Sequence, residues 1–189
     1  MTATNDLNRR CAKDAKRHLP DGWRWAALGE VCEINPARPP NFKRDDDAPT
    51  SFVPMSAVDE VLGAITRCET RLFTDVRNGY TFFAEGDVLF AKITPCMQNG
   101  KHAIARGLID GVGFGTTEFH VLRPRPGVIG EWIHRFIRQP RVLELAEAEF
   151  RGSAGQRRVP EKFLAALDPN PALTHRRARS GALGAAAGG

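Results

Sequence analysis

With 189 residues, 42% of them hydrophobic, the chain has enough apolar material for one good core and too little length for a large two-domain enzyme. Its net charge of +5 is uneven: residues 1–18 hold five Lys or Arg against two Asp or Glu, residues 151–189 hold seven against two, and the span between holds fifteen against eighteen. A basic total therefore argues little for a nucleic-acid ligand, and any phosphate-binding surface must come from local clustering.

Residues 1–18, rich in Asn, Asp, Lys and Arg, offer few apolar side chains and read as a flexible N-terminal extension. The folded domain is expected over 19–167. It opens where Pro20 and Gly22 fix a turn and Trp23, Trp25, Leu28, Val31 and Ile34 supply apolar anchors. The proline-rich stretch from Asn35 to Thr50, with Asp45-Asp46-Asp47, reads as a surface loop, and Phe52-Val53-Pro54-Met55 as a short strand ended by its proline. Asp59 to Asn78 is expected to be irregular with short strands, and Phe82-Phe83 to lead into a turn at Glu85-Gly86.

Alternation then predicts a strand over 87–93, a neighbour over 101–106 and a third strand over 117–123, with the glycines at 107, 111, 113 and 115 as turns between them. In the third strand Phe119, Val121 and Arg123 share one face, and Glu118, His120 and Leu122 the other. The period then changes to helical: Ile129, Trp132, Ile133, Phe136 and Ile137 form one stripe, Pro140 interrupts, and Val142 to Phe150 continue as a second helix. That stripe is core or a subunit contact. Residues 151–158 form a glycine-containing basic loop, Pro160 starts a short helix, and 168–189 read as a disordered tail. The sum is an α/β (α+β) fold with a mixed, largely antiparallel sheet and C-terminal helices.

Two polar segments carry the candidate chemistry. Between the strands, Thr94, Gln98, Asn99 and Lys101 gather amides, a hydroxyl and an ammonium beside Lys92. Gln98 or Asn99 suits bidentate pairing with adenine, and Lys101 or Lys92 suits guanine or phosphate. The competing reading is a plain hairpin connection whose Asn99-Gly100 supplies positive φ angles. In the second segment, Arg151, Arg157 and Arg158 surround small residues and suit phosphates, with Gln156 placed to read a base. Its alternative is a solvated linker before a helix.

Other chemistries are poorly supplied. The four cysteines, Cys11, Cys32, Cys68 and Cys96, lie about twenty to forty residues apart with no metal-site spacing, and the five histidines are not paired for zinc. Glu118 and His120 share a strand face and read as a polar surface row rather than an acid/base pair. There is no nucleophile elbow and no phosphate-cradling glycine loop. No apolar run approaches about eighteen residues and Thr2 to Lys16 is polar, so a soluble, cytoplasmic protein without membrane contact is expected.

Four stretches, LPDGWRWAALGEVCEIN, GDVLFAKITPCMQNGKHAIA, GTTEFHVLRP and GSAGQRRVPEKFLAAL, stand in the order and at the separations of a known family. The chain resembles one target recognition domain of a type I restriction-modification DNA specificity subunit. The resemblance implies a mixed α/β globule that reads one half of a split double-stranded DNA target. It also implies binding to methylation (M) subunits, which hold S-adenosylmethionine, and through the complex to an ATP-driven restriction (R) subunit. Such a specificity subunit is not an enzyme itself, and no cofactor is expected on this chain.

One stretch departs from the family. After FLAAL the family runs through a proline-rich turn into a long spacer helix, whereas Asp168-Pro169-Asn170-Pro171-Ala172-Leu173 leads here into an Arg, Ala and Gly tail. Codons for this stretch, read one nucleotide later, can spell the family's turn, so a frameshifted, truncated product is expected. Two alternatives follow: a non-functional remnant, or a protein-interaction domain.

Overall fold

The strands divide into two four-stranded sheets and a two-stranded ribbon rather than the single sheet expected. The computed structural model describes residues 26–152 and 157–167. The expectations for the N-terminal extension, the 168–189 tail and Gln156 lie outside the described residues. A short helix α1 (Leu28–Val31) runs straight into strand β1 (Cys32–Ile34), and after the acidic loop come β2 (Pro49–Val53), the ribbon β3 (Val58–Asp59) and β4 (Ala64–Ile65), then β5 (Glu69–Leu72) and helix α2 (Phe73–Val76). Next follow β6 (Thr81–Ala84), β7 (Val88–Ala91), β8 (His102–Ile104), β9 (Val112–Gly115) and β10 (Phe119–Pro124). Helices α3 (Gly130–Ile137), α4 (Pro140–Ala148) and α5 (Glu161–Ala166) complete the described chain.

Sheet one has the order β1-β10-β7-β8 and is antiparallel throughout; sheet two has the order β5-β2-β9-β6. Only β2 and β9 pair in parallel among the described strands, Phe52 lying opposite Phe114. Here Gly115 is required by close approach: a Cβ at that position would stand 2.6 Å from the Val53 carbonyl oxygen. Gly113 and Gly115 thus lie inside a strand, where the ring of Phe83 packs over them, and are not the turns expected from sequence.

The alternation of β7 explains the layering. Val88 and Phe90 face a core shared with Leu122, Ile133, Ile137, Val142 and Leu164, while Leu89 and Ala91 face Val53, Phe83, Phe119 and Val121. Sheet one is therefore packed between the helices and sheet two, and its central strand is buried on both faces. Each such Leu or Phe contributes about 2–3 kcal/mol of transfer free energy. A third cluster, Phe52, Phe73, Val76 and Phe114 with Phe42 and Phe82 packed against it, covers the far side of sheet two.

Local chemistry sets the ends of the helices. Pro140 does not break a helix; it occupies the first turn of α4, with Gln139 as N-cap, because a residue whose N–H has no intrahelical acceptor tolerates proline. In α3 the buried residues are Ile133, Phe136 and Ile137, whereas Trp132 is exposed and lies outside the core. A half-buried ion pair fixes the entry to β7. Asp87 takes two hydrogen bonds from the Arg123 guanidinium, at 2.9 and 2.7 Å, and one from the Ala84 N–H. No helix among the described residues is long and apolar enough to cross a membrane.

Candidate nucleic-acid interface

Beyond β7 the backbone continues as an irregular ladder that brings the two polar segments together. Lys92 donates its N–H to the Glu118 carbonyl and accepts from the Val159 N–H at 2.9 Å in each case. Ile93 bridges Arg158, and the Thr94 N–H donates to the Arg157 carbonyl at 3.1 Å. Arg151 and Arg158 form a second bridge with reciprocal hydrogen bonds of 3.0 and 2.9 Å. Segments more than fifty residues apart in sequence thus share one edge of the molecule.

Within 94–101 the loop is a tight coil of backbone hydrogen bonds, Ile93 to Met97, Pro95 to Asn99 and Cys96 to Lys101. Gly100 alone of the Asn-Gly pair has positive φ, 78°. Most of the polar side chains are held by the protein. The Thr94 hydroxyl donates to Gln98 Oε1 at 2.6 Å, and Gln98 Nε2 donates to Glu147 Oε1 of α4 at 2.8 Å. Lys101 Nζ donates to the Val58 carbonyl at 2.9 Å and lies 3.5 Å from the Glu60 carboxylate. Asn99 is exposed, and its amide makes no hydrogen bond to a described residue.

Under this loop sits His102, stacked on Phe90 with ring centroids 4.3 Å apart. The Ala91 N–H donates to its Nδ1 at 3.1 Å, so the proton is on Nε2, which is buried with no hydrogen-bond partner among the described residues. Burial, with the charges of Arg138 and His134 adding to it, pushes the His102 pKa down to about 3. The ring is neutral in the fold.

The arginines of the second segment are placed differently. Arg157 is exposed, its guanidinium 5.2 Å from the centroid of the Phe150 ring. Arg151 is exposed and pairs with Glu149 at 3.0 Å. Arg158 grips Glu118 with two hydrogen bonds, 2.8 and 2.6 Å. This hydrogen bonding is the main cause that lowers the Glu118 carboxyl below its ordinary value.

Glu118 and His120 do not form the polar surface row expected from their spacing. His120 is buried. Its Nε2 donates to the Val159 carbonyl at 2.8 Å and its Nδ1 accepts from Asn35 Nδ2 at 3.0 Å. Asn35, in the left-handed region at φ 50°, also donates to Glu161 and accepts from the Val121 N–H. This junction ties β1, β10 and the start of α5, so the 157–159 strand is anchored from behind. Burial lowers the His120 pKa below its ordinary value.

Sequence reasoning missed a cleft beside Lys92. A hollow of about 430 Å³, bordered by residues of both sheets, has Arg38, Arg77, Asn78, Tyr80 and Lys92 in its lining. Its residues come from five separate stretches, so no local spacing reveals it. A clue is Arg77-Asn78-Gly79, a turn cluster directly before a strand. Among the described residues no group of three or more His, Cys, Asp or Glu side chains is placed to hold a metal ion, and Cys32, Cys68 and Cys96 are free thiols.

Comparison with known proteins gives two sequence relatives from Escherichia coli. The type I restriction enzyme EcoAI specificity subunit is 42% identical over 147 residues, which are 77% of this chain and 24% of that protein. The EcoEI specificity subunit is 42% identical over 157 residues, 82% of this chain and 26% of that protein. The chain spans about a quarter of the length of these curated relatives. Two solved structures share the fold. A chain from a study of complex assembly and conformational transition of the type I R-M system superposes with a TM-score of 0.62 at 24% identity, covering 82% of this chain and 40% of that one. The HsdS subunit from Thermoanaerobacter tengcongensis gives 0.59 at 24% identity, covering 83% and 40%. No family model matches.

Proposed function

As a chain that belongs with the type I restriction enzyme specificity subunits and spans about a quarter of their length, this protein, we propose, is one target recognition domain that reads half of a split duplex DNA target. In this reading it selects the DNA on which methylation subunits, holding S-adenosylmethionine, and an ATP-driven restriction subunit act, and it makes and breaks no bonds itself. It would work in the cytoplasm, where those subunits and the DNA are.

The observation that carries the reading is the ladder joining 92–94 to 157–159. It places a half-buried lysine, an exposed arginine and the 94–101 coil on one edge, the mixture a duplex reader needs: cations for phosphates and an unengaged amide for a base. Arg157 and Lys92 hold phosphates in this arrangement, and Asn99 is the side chain free to meet a base edge. Thr94, Gln98 and Lys101 act chiefly by keeping the coil rigid.

A protein-docking reading has its own observation. Val61 and Leu62, 83% and 69% exposed, stand at the tip of the β3–β4 ribbon. Selection of bound duplexes from a random pool, with and without the cognate methylation subunit, separates the two. Enrichment of one common half-site is the expected result. Binding that is equal for every sequence and vanishes evenly with salt sinks the recognition reading and leaves protein docking.

A further inference from the structure

We propose that the cleft beside Lys92 is a binding site for a deoxynucleotide phosphate, with Lys92 and Arg38 on the phosphate. The proposal deepens the DNA-reading function above, in which the duplex supplies this unit.

Lys92 is the first cation of the site. Its ammonium is half-buried at the cleft wall and makes no hydrogen bond to a described residue. The nearby carboxylates are engaged elsewhere: Glu118 by the two-pronged grip of Arg158, and Glu161 by the amide of Asn35. Burial is the main cause that draws the Lys92 pKa below its ordinary value, with the charge of Glu118 opposing it. A cation held in that state gains most from an anion that enters from the open side.

The same hollow is lined by a second cation. Arg38 is exposed and donates one N–H to the Arg77 carbonyl at 2.9 Å, with no carboxylate partner among the described residues, so most of its donor fork remains for a ligand. Arg77 itself is paired with Asp46 at 2.7 Å and serves to hold Arg38. The lining also includes the exposed ring of Tyr80, whereas its Phe114, Phe119 and Val121 are buried. At about 430 Å³ the hollow is larger than a bare oxyanion fills and leaves room for a sugar carrying the phosphate.

The test uses the full chain and its Lys92→Met, Lys92→Arg and Arg38→Gln variants. Duplex affinity is measured over a salt series, and binding of 2′-deoxyadenosine 5′-monophosphate and of inorganic phosphate is followed by chemical-shift perturbation. Lys92→Met and Arg38→Gln are each expected to weaken duplex binding about 5–10-fold at low salt and to flatten the salt slope by about one unit, while Lys92→Arg retains most of the affinity. The nucleotide is expected to shift cleft resonances more than inorganic phosphate does, and the shifts disappear in Lys92→Met. If Lys92→Met fails to fold, Arg38→Gln on the exposed rim carries the same readouts.

Wild-type affinity and slope in both charge-removing variants, beside an Arg157→Ala variant that is weakened, overturn the cleft and spare the DNA-reading function. A wild-type chain that ignores duplexes but binds the nucleotide through Lys92 overturns that function and keeps the cleft, with a free nucleotide as the source. Binding of neither overturns both.

Discussion

In the 94–101 coil the polar side chains mostly bond to the protein, whereas in the adjoining 151–158 segment Arg151 and Arg157 lie on the surface. Thr94, Gln98 and Glu147 form a closed relay, and Lys101 caps the carbonyl of Val58. Arg157 overlies Phe150. The contrast teaches that a run of hydrogen-bonding residues is a rigid support in one place and an available surface in another. What decides is whether neighbouring elements offer partners. The coil sits against α4 and the β3–β4 ribbon, which offer them.

The strongest way to stress this comparison is acid. His102, directly beneath the coil, has a folded pKa of about 3 against an ordinary value of 6.5. Its folded value is the lower, so its neutral form stabilises the fold fully above about pH 6.5, and that contribution is lost as pH falls towards 3. The loss reaches as much as about 4 kcal/mol. Urea unfolding at stepped pH should show it, and His102→Phe, which keeps a ring on Phe90, should flatten the acid limb; an unchanged limb refutes the assignment.

Next in size is Lys101→Met. Losing a charge-assisted bond to a buried carbonyl should cost about 2 kcal/mol, read as a lower denaturation midpoint. A stability within about 0.5 kcal/mol of the parent would place Lys101 on the accessible side of the comparison after all.

The arginine segment should respond in the opposite sense. Arg157→Ala is expected to leave stability within about 0.5 kcal/mol and to flatten the salt dependence of DNA binding by about one unit, equally for all sequences. Smallest in overall affinity is Asn99→Ala. It should leave folding unchanged and relax preference at one base position, a discrimination of about 1–3 kcal/mol, visible by repeating the duplex selection. Unaltered base preference would return Asn99 to the role of a turn residue.

Much of the fold was legible where the pattern is local. The alternation around Val88 to Ala91 and Phe119 to Arg123 gave two strands of sheet one, and Ile133, Phe136 and Ile137 gave α3, because each side chain's environment is dictated by its near neighbours. Division into two sheets was not legible. The parallel pairing of β2 with β9 joins residues about sixty apart, and it depends on glycines that look like turn formers. The candidate interface was half legible. Residue types at 92–101 and 151–158 announced polar chemistry, but nothing in their spacing showed that Thr94 and Arg157 share a hydrogen bond, that Lys101 turns inward, or that Arg38 and Lys92 face one cleft.

The ladder between these segments also bears on how such a domain changes its preferences. Because Thr94 and Val159 donate to carbonyls on the opposite strand, and Arg158 closes on Glu118, neither segment holds its shape on its own account. A transplant that moved one of them into a sister protein would arrive with half of a clasp. Under the DNA-reading function proposed above, exchange of specificity would have to move both stretches, and the Glu118 end of β10 with them, as a single inherited cassette.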